Sequence, residues 1–154
     1  MKRALLVAGV VSLAGAGAAV AQPAAAAKKA PAREVKVMVP ADAKWETDPE
    51  TKVSVAVISG NPKTGAYEAF VKFPAGIDIP QHWHTFSNTA VGVAGTLVVD
   101  VEGQGAKELA AGSWGNIPGR VRHTTKCKEG ADCIIYARQP GKDDIHFVKP
   151  PAKP

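Results

Sequence analysis

The chain has 154 residues, 45% of them hydrophobic, with 19 Lys and Arg against 14 Asp and Glu for a formal net charge of +5. That length suits one domain with a real core and is too short for two. The positive excess gathers in Ala/Pro-rich ends (Lys2, Arg3, Lys28, Lys29, Arg33, Lys149, Lys153), so no compact basic face is visible and nucleic acid is not an expected partner.

In chain order, Met1-Lys2-Arg3 precedes the uncharged run "ALLVAGVVSLAGAGAAV", which ends in Ala19-Val20-Ala21, the small-x-small pattern of a signal-peptidase site. Residues 1–21 are therefore read as a cleaved signal peptide and the mature protein as secreted or periplasmic. The strongly apolar part, Leu5 to Leu13, falls short of the ~20 residues that span a bilayer, so no stable membrane insertion is expected after cleavage. "QPAAAAKKAPAR" buries little apolar surface, and 22–34 reads as a disordered spacer. A single domain is expected over 35–149, with 150–154 as a C-terminal tail.

Within that domain the pattern is β. "VSVAVIS" (Val53 to Ser59), "YEAFVKF" (Tyr67 to Phe73), "TAVGVAGTLVVDV" (Thr89 to Val101, broken at Gly95) and "CIIYAR" (Cys133 to Arg138) are β-branched or aromatic runs separated by turn formers such as "GNPKTG" and "EGQG". No segment keeps a 3.6-residue apolar period. An all-β sandwich or small barrel follows.

The stretch "GIDIPQHWHTFSN" places His82 and His84 either side of Trp83. On a strand, residues i and i+2 share a face, so both imidazoles would point one way. From Gly76 the spacing is G-x5-H-x-H-x3-N-x6-G, ending at Gly95. A second stretch, "GSWGNIPGRVRH", runs from Gly112 through Pro118 to His123. These stretches resemble the two motifs of the cupin family, G-x5-H-x-H-x3,4-E-x6-G and G-x5-P-x-G-x2-H-x3-N. The departures are Asn88 for the acidic residue, an inner glycine displaced to Gly119, and Cys127 for the final Asn.

The resemblance covers roughly Val53 to Val148 and implies a double-stranded β-helix, the jelly-roll cupin barrel. It also implies that His82, His84 and His123 converge as ligands of one divalent ion, with Asn88 as a weaker, neutral fourth donor. Imidazoles alone do not choose among Zn, Cu, Fe, Mn and Ni. Asn88 can coordinate through its carbonyl but cannot serve as a general base; the alternative is that metal binding has been lost.

Cys127 and Cys133, close together in an exported chain, read as a disulfide; the alternative makes Cys127, at i+4 from His123, a further ligand. Trp83 should point away from the two histidines. Phe86 and Trp114 are candidates for the substrate pocket, against core filling. Arg120 and Arg122 are read as solvated charge rather than an anion lure, and His146 is assigned no role. The chain is similar to small exported cupins, including ChrR-like cupin domains. Two functions stay open: metal-dependent oxidation or dioxygenation of a small molecule, and a non-catalytic module that binds metal or a small ligand. Self-association as a homodimer is also kept open.

Overall fold

β-Branched and aromatic runs punctuated by Gly, Pro and Asn become antiparallel strands. The computed structural model describes residues 35–38 and 42–149; the expected leader, spacer and tail lie outside them. Its strands are β1 (Glu46–Thr47), β2 (Ser54–Gly60), β3 (Tyr67–Phe73), β4 (Asp78–Trp83), β5 (Asn88–Ala94), β6 (Thr96–Val101), β7 (Gly105–Ala110), β8 (Trp114–Ile117), β9 (His123–Cys127), β10 (Cys133–Gln139) and β11 (His146–Phe147). No α-helix occurs among the described residues.

The strands make a six-stranded sheet, β1-β2-β3-β10-β5-β8, and a five-stranded sheet, β11-β4-β9-β6-β7. This is the expected jelly roll. The run from Thr89 to Val101 breaks at Gly95, where the chain leaves the first sheet for the second. Gly95 has φ 67°, and a Cβ there would lie 2.7 Å from the Asp132 carbonyl oxygen. Only glycine turns that corner without strain.

Alternation decides what faces inward. On β9, His123, Thr125 and Cys127 are buried; on β10, Cys133, Ile135, Ala137 and Gln139 are. Leu97, Cys127, Cys133, Ile135 and Ala137 form the buried cluster. Cys127 and Cys133 are disulfide-bonded, with Cα atoms 5.7 Å apart. Because β9 and β10 belong to different sheets, the bond ties the two layers together at one end of the barrel. Thiol titration of the denatured, unreduced protein should find no free thiol. Cys127→Ser with Cys133→Ser should lower stability by about 2 kcal/mol, the chain-entropy value for so short a loop, yet leave a domain that still unfolds cooperatively in urea. A double variant without cooperative unfolding would make the bond a requirement of the fold.

Two local departures from regular backbone shape the other end. Ile79 pairs with Thr125 and His82 with His123, so β4 holds one residue more than β9 between those pairs. This bulge lets Ile79 and His82, three apart, both turn inward, where a regular strand would send one outward. Pro80 sits inside it, needing no ladder donor. Further on, Arg120 takes φ 65°, the left-handed conformation that the motif's usual glycine would supply at this position. The glycine is shifted to 119, where a Cβ would meet the Thr85 carbonyl oxygen at 2.4 Å.

Candidate metal centre

His82 lies on β4 beyond the bulge, His84 follows just past the strand end, and His123 opens β9 as the cross-strand partner of His82. The ring centroids are 4.3 Å apart for His82 and His123, 5.2 Å for His82 and His84, and 5.7 Å for His84 and His123. One nitrogen from each ring lies within 4.8 Å of the others.

Each Nδ1 is engaged by a main-chain carbonyl: His82 with Pro80 at 2.7 Å, His123 with Val121 at 2.9 Å, and His84 with Asp144. A carbonyl only accepts, so each Nδ1 carries the proton and donates it. That leaves Nε2 of each ring as the nitrogen that can bind a metal through its lone pair in the neutral form.

Burial enforces the same state. His82 and His123 are each 3% exposed. Burial pushes His82 down to about 4, with the neighbouring imidazoles adding to the effect and the Pro80 hydrogen bond opposing it. His123 is lowered for the same leading reason. Three converging imidazoles, two of them held neutral by burial, fit a divalent transition ion.

This state has a consequence for the metal-free protein. Unfolded histidine protonates near 6.5, whereas folded His82 does so only near about 4. Between those values the unfolded chain binds more protons, so the contribution is intact above pH ~6.5 and is lost as pH falls toward 4. Thermal melts at pH 7, 5.5 and 4 should show a progressively lower Tm. His82→Gln should flatten the slope; an unchanged slope would mean that His82 titrates normally.

The rings border a cavity of about 550 Å³ walled largely by apolar side chains, among them Val71, Phe73, Ile79, Val99 and Ile135. Asn88 lines it from the six-stranded sheet, across from β4 and β9. Residues 140–145 form a strap between β10 and β11 that adds Asp143, Asp144 and Ile145 to the lining. Tyr67 donates to Asp143 Oδ1 at 2.8 Å, and Thr85 N donates to Asp144 Oδ1 at 2.8 Å. Burial, followed by the Asp143 charge, raises the Tyr67 phenol well above its ordinary range, so it remains protonated. Burial also pushes Asp144 upward, but hydrogen bonds from Thr85 and His146 outweigh it and hold the carboxyl below its usual value.

Other expectations meet mixed outcomes. Cys127 is not a fourth ligand: its sulfur is in the disulfide, and it lies four positions along the strand from His123, about 13 Å at strand rise. Trp83 turns from the cluster and stacks on His146, with centroids 4.0 Å apart and planes at 13°. His146, in terminal strand β11, also lies 3.4 Å from Asp144 Oδ2.

Phe86 does not line the cavity. It packs on the strap, where a Cβ on Gly141 would fall 2.3 Å from its ring. Trp114 borders the cavity, but it is paired with Val91 on the sheet's outer side and is 68% exposed; its neighbours Gly115 and Ile117 alternate inward. Arg122 pairs loosely with Glu102 at 3.8 Å in the open, and Arg120 uses its backbone N–H on the His84 carbonyl. Sequence reasoning missed Tyr67, Gln139, Asp143 and Asp144. For Gln139 a signal existed, since period-two counting from Cys133 turns it inward.

Two antiparallel sheets closed around three convergent imidazoles define a cupin. The chain belongs to the family described as the ChrR cupin-like domain, whose model matches residues 33–141. Among solved structures, it is similar to the polyketide cyclase RemF from Streptomyces resistomycificus (TM-score 0.64, 17% identity, covering 77% of this chain and 89% of that one). It is also similar to an acetylacetone dioxygenase from Acinetobacter johnsonii (TM-score 0.58, 20% identity, 79% and 82% covered). A third likeness is to the Rhodobacter sphaeroides complex of SigE with the anti-sigma ChrR (TM-score 0.53, 21% identity, 66% and 50% covered). At these identities the likeness is one of fold. A search of curated proteins returns no match.

Proposed function

We propose that the protein is an exported, metal-dependent cupin that oxidises or dioxygenates a small, mainly apolar molecule held in the barrel. The observation that carries this reading is the hydrogen bonding of the three imidazoles: each Nδ1 meets a main-chain carbonyl, which leaves the three Nε2 atoms as candidate ligands beside one cavity. A single divalent ion, one of Zn, Cu, Fe, Mn or Ni, would be held by His82, His84 and His123 and would supply Lewis acidity or, if redox-active, electron transfer.

The protein's own residues do the remainder. The apolar walls exclude water from the bound molecule. Tyr67 keeps its proton and fixes Asp143, and Asp144 orients His84 through its carbonyl. Asn88 can hydrogen-bond a ligand without taking its proton.

Elemental analysis of protein purified from the exported fraction, followed by oxygen uptake with phenols, diketones and thiols, tests the reading. Uptake that follows metal content supports it. Metal-loaded protein that binds such molecules without consuming oxygen favours the second reading, a non-catalytic ligand-binding module, which the neutral Asn88 makes reasonable. Intact-mass spectrometry of the same material should show a chain beginning near Gln22; a species still starting at Met1 would mean that the leader is retained and not cleaved.

A further inference from the structure

Among the described residues, one buried side-chain polar atom lacks a hydrogen-bond partner: Oε1 of Gln139. Gln139 is 1% exposed and lines the cavity. Its amide has a defined orientation, because Nε2 donates to the Lys142 carbonyl at 2.8 Å. Exchanging oxygen and nitrogen would set two acceptors against each other, so the unpaired atom is an acceptor. An orphaned buried acceptor is destabilising and requires a reason.

Its place in the barrel supplies one. From the disulfide, β9 runs back to His123 and β10 runs forward to Gln139. The imidazole and the amide therefore face inward from opposite sheets, both at the end of the barrel away from the disulfide. The strap connects the two sides. Asp143 accepts from Tyr67, the cross-strand partner of Gln139, while the carbonyl of the next residue, Asp144, accepts from His84. Since Tyr67 spends its proton on Asp143, its oxygen adds a second acceptor beside Gln139. The part of a ligand that meets these two acceptors must bring a donor.

We propose that Gln139 Oε1 is a ligand-recognition atom, and that the molecule taken into the cavity is a mainly apolar compound with a hydroxyl or N–H group donated to it. The proposal rests on the metal reading only for the position of the ligand's other end.

The test uses two matched pairs in which a methyl group replaces the donor hydrogen. Zinc-loaded protein is titrated with 4-hydroxybenzohydroxamate and 4-methoxybenzohydroxamate, whose hydroxamate addresses the metal. Metal-free protein is titrated with phenol and anisole. The hydroxyl member should bind about tenfold more tightly, as expected where its absence leaves a buried polar group unpaired. Gln139→Leu, or Gln139→Met should the leucine variant not fold, should bring each pair within twofold by weakening the hydroxyl member alone.

Equal binding within the pairs by wild-type protein would overturn the proposal, as would a preference that survives the substitution. If zinc is not taken up but the phenol preference is present and Gln139-dependent, the recognition role stands and the metal reading falls. If zinc and both hydroxamates bind equally well, the reverse holds. A crystal structure with a water on Oε1 that remains when phenol is bound would also overturn it.

Discussion

His123→Ala should raise the dissociation constant for a divalent ion by more than 100-fold in chelator competition. Replacing the hydrogen-bond partner of a metal ligand already costs 10- to 100-fold, and this change removes the ligand itself. His82→Ala and His84→Ala should behave alike, since a two-imidazole remnant no longer encloses an ion. The control is His146→Ala. That ring stacks on Trp83 and contacts Asp144 without joining the cluster, so metal should be retained. Full retention in all three cluster variants, or loss as complete in His146→Ala, would remove the metal centre.

Asn88→Glu is expected to move two measurements in opposite directions. Asn88 faces the cavity across from the histidines, where its neutrality leaves an ion with no anionic partner at this position. A carboxylate there gains attraction that is larger in a partly desolvated cavity than in water, on the order of a few kcal/mol at an intermediate dielectric. Metal should bind roughly 10- to 100-fold more tightly, as a few kcal/mol less desolvation allows. Without metal the same carboxylate is an unpaired charge in a largely apolar space, and Tm should fall. Melts with and without each divalent ion resolve the two effects. A variant that is destabilised and gains nothing from any ion would argue for an empty binding module.

The parts legible in the sequence were those encoded by local spacing. The histidine positions, the break at Gly95 and the cysteine pair depend on periods of two, on turn chemistry and on short separations. Trp83 could be turned from the histidines by the same alternation. Tertiary features were not legible in this way. The bulge at Pro80 is visible only as a mismatch with β9, and nothing in "QPGKDDIH" states that the Asp144 carbonyl will meet His84, 60 residues earlier. Phe86 was misplaced for a related reason: its apolar partner is the bare backbone of Gly141, a contact with no composition signal. Trp114 does border the cavity, but strand register carries it to the sheet's outer side, where it is 68% exposed.

The carbonyls that hold the three imidazoles belong to the main chain, and every residue type carries one. Mutation at Pro80, Val121 or Asp144 can disturb the backbone path, but it cannot delete the acceptor itself. Orientation of the ligand set is thereby insulated from drift in the surrounding side chains, while wall positions such as Gln139 remain free to change. A lineage built on this barrel can explore new ligands one wall residue at a time without first rebuilding its cradle.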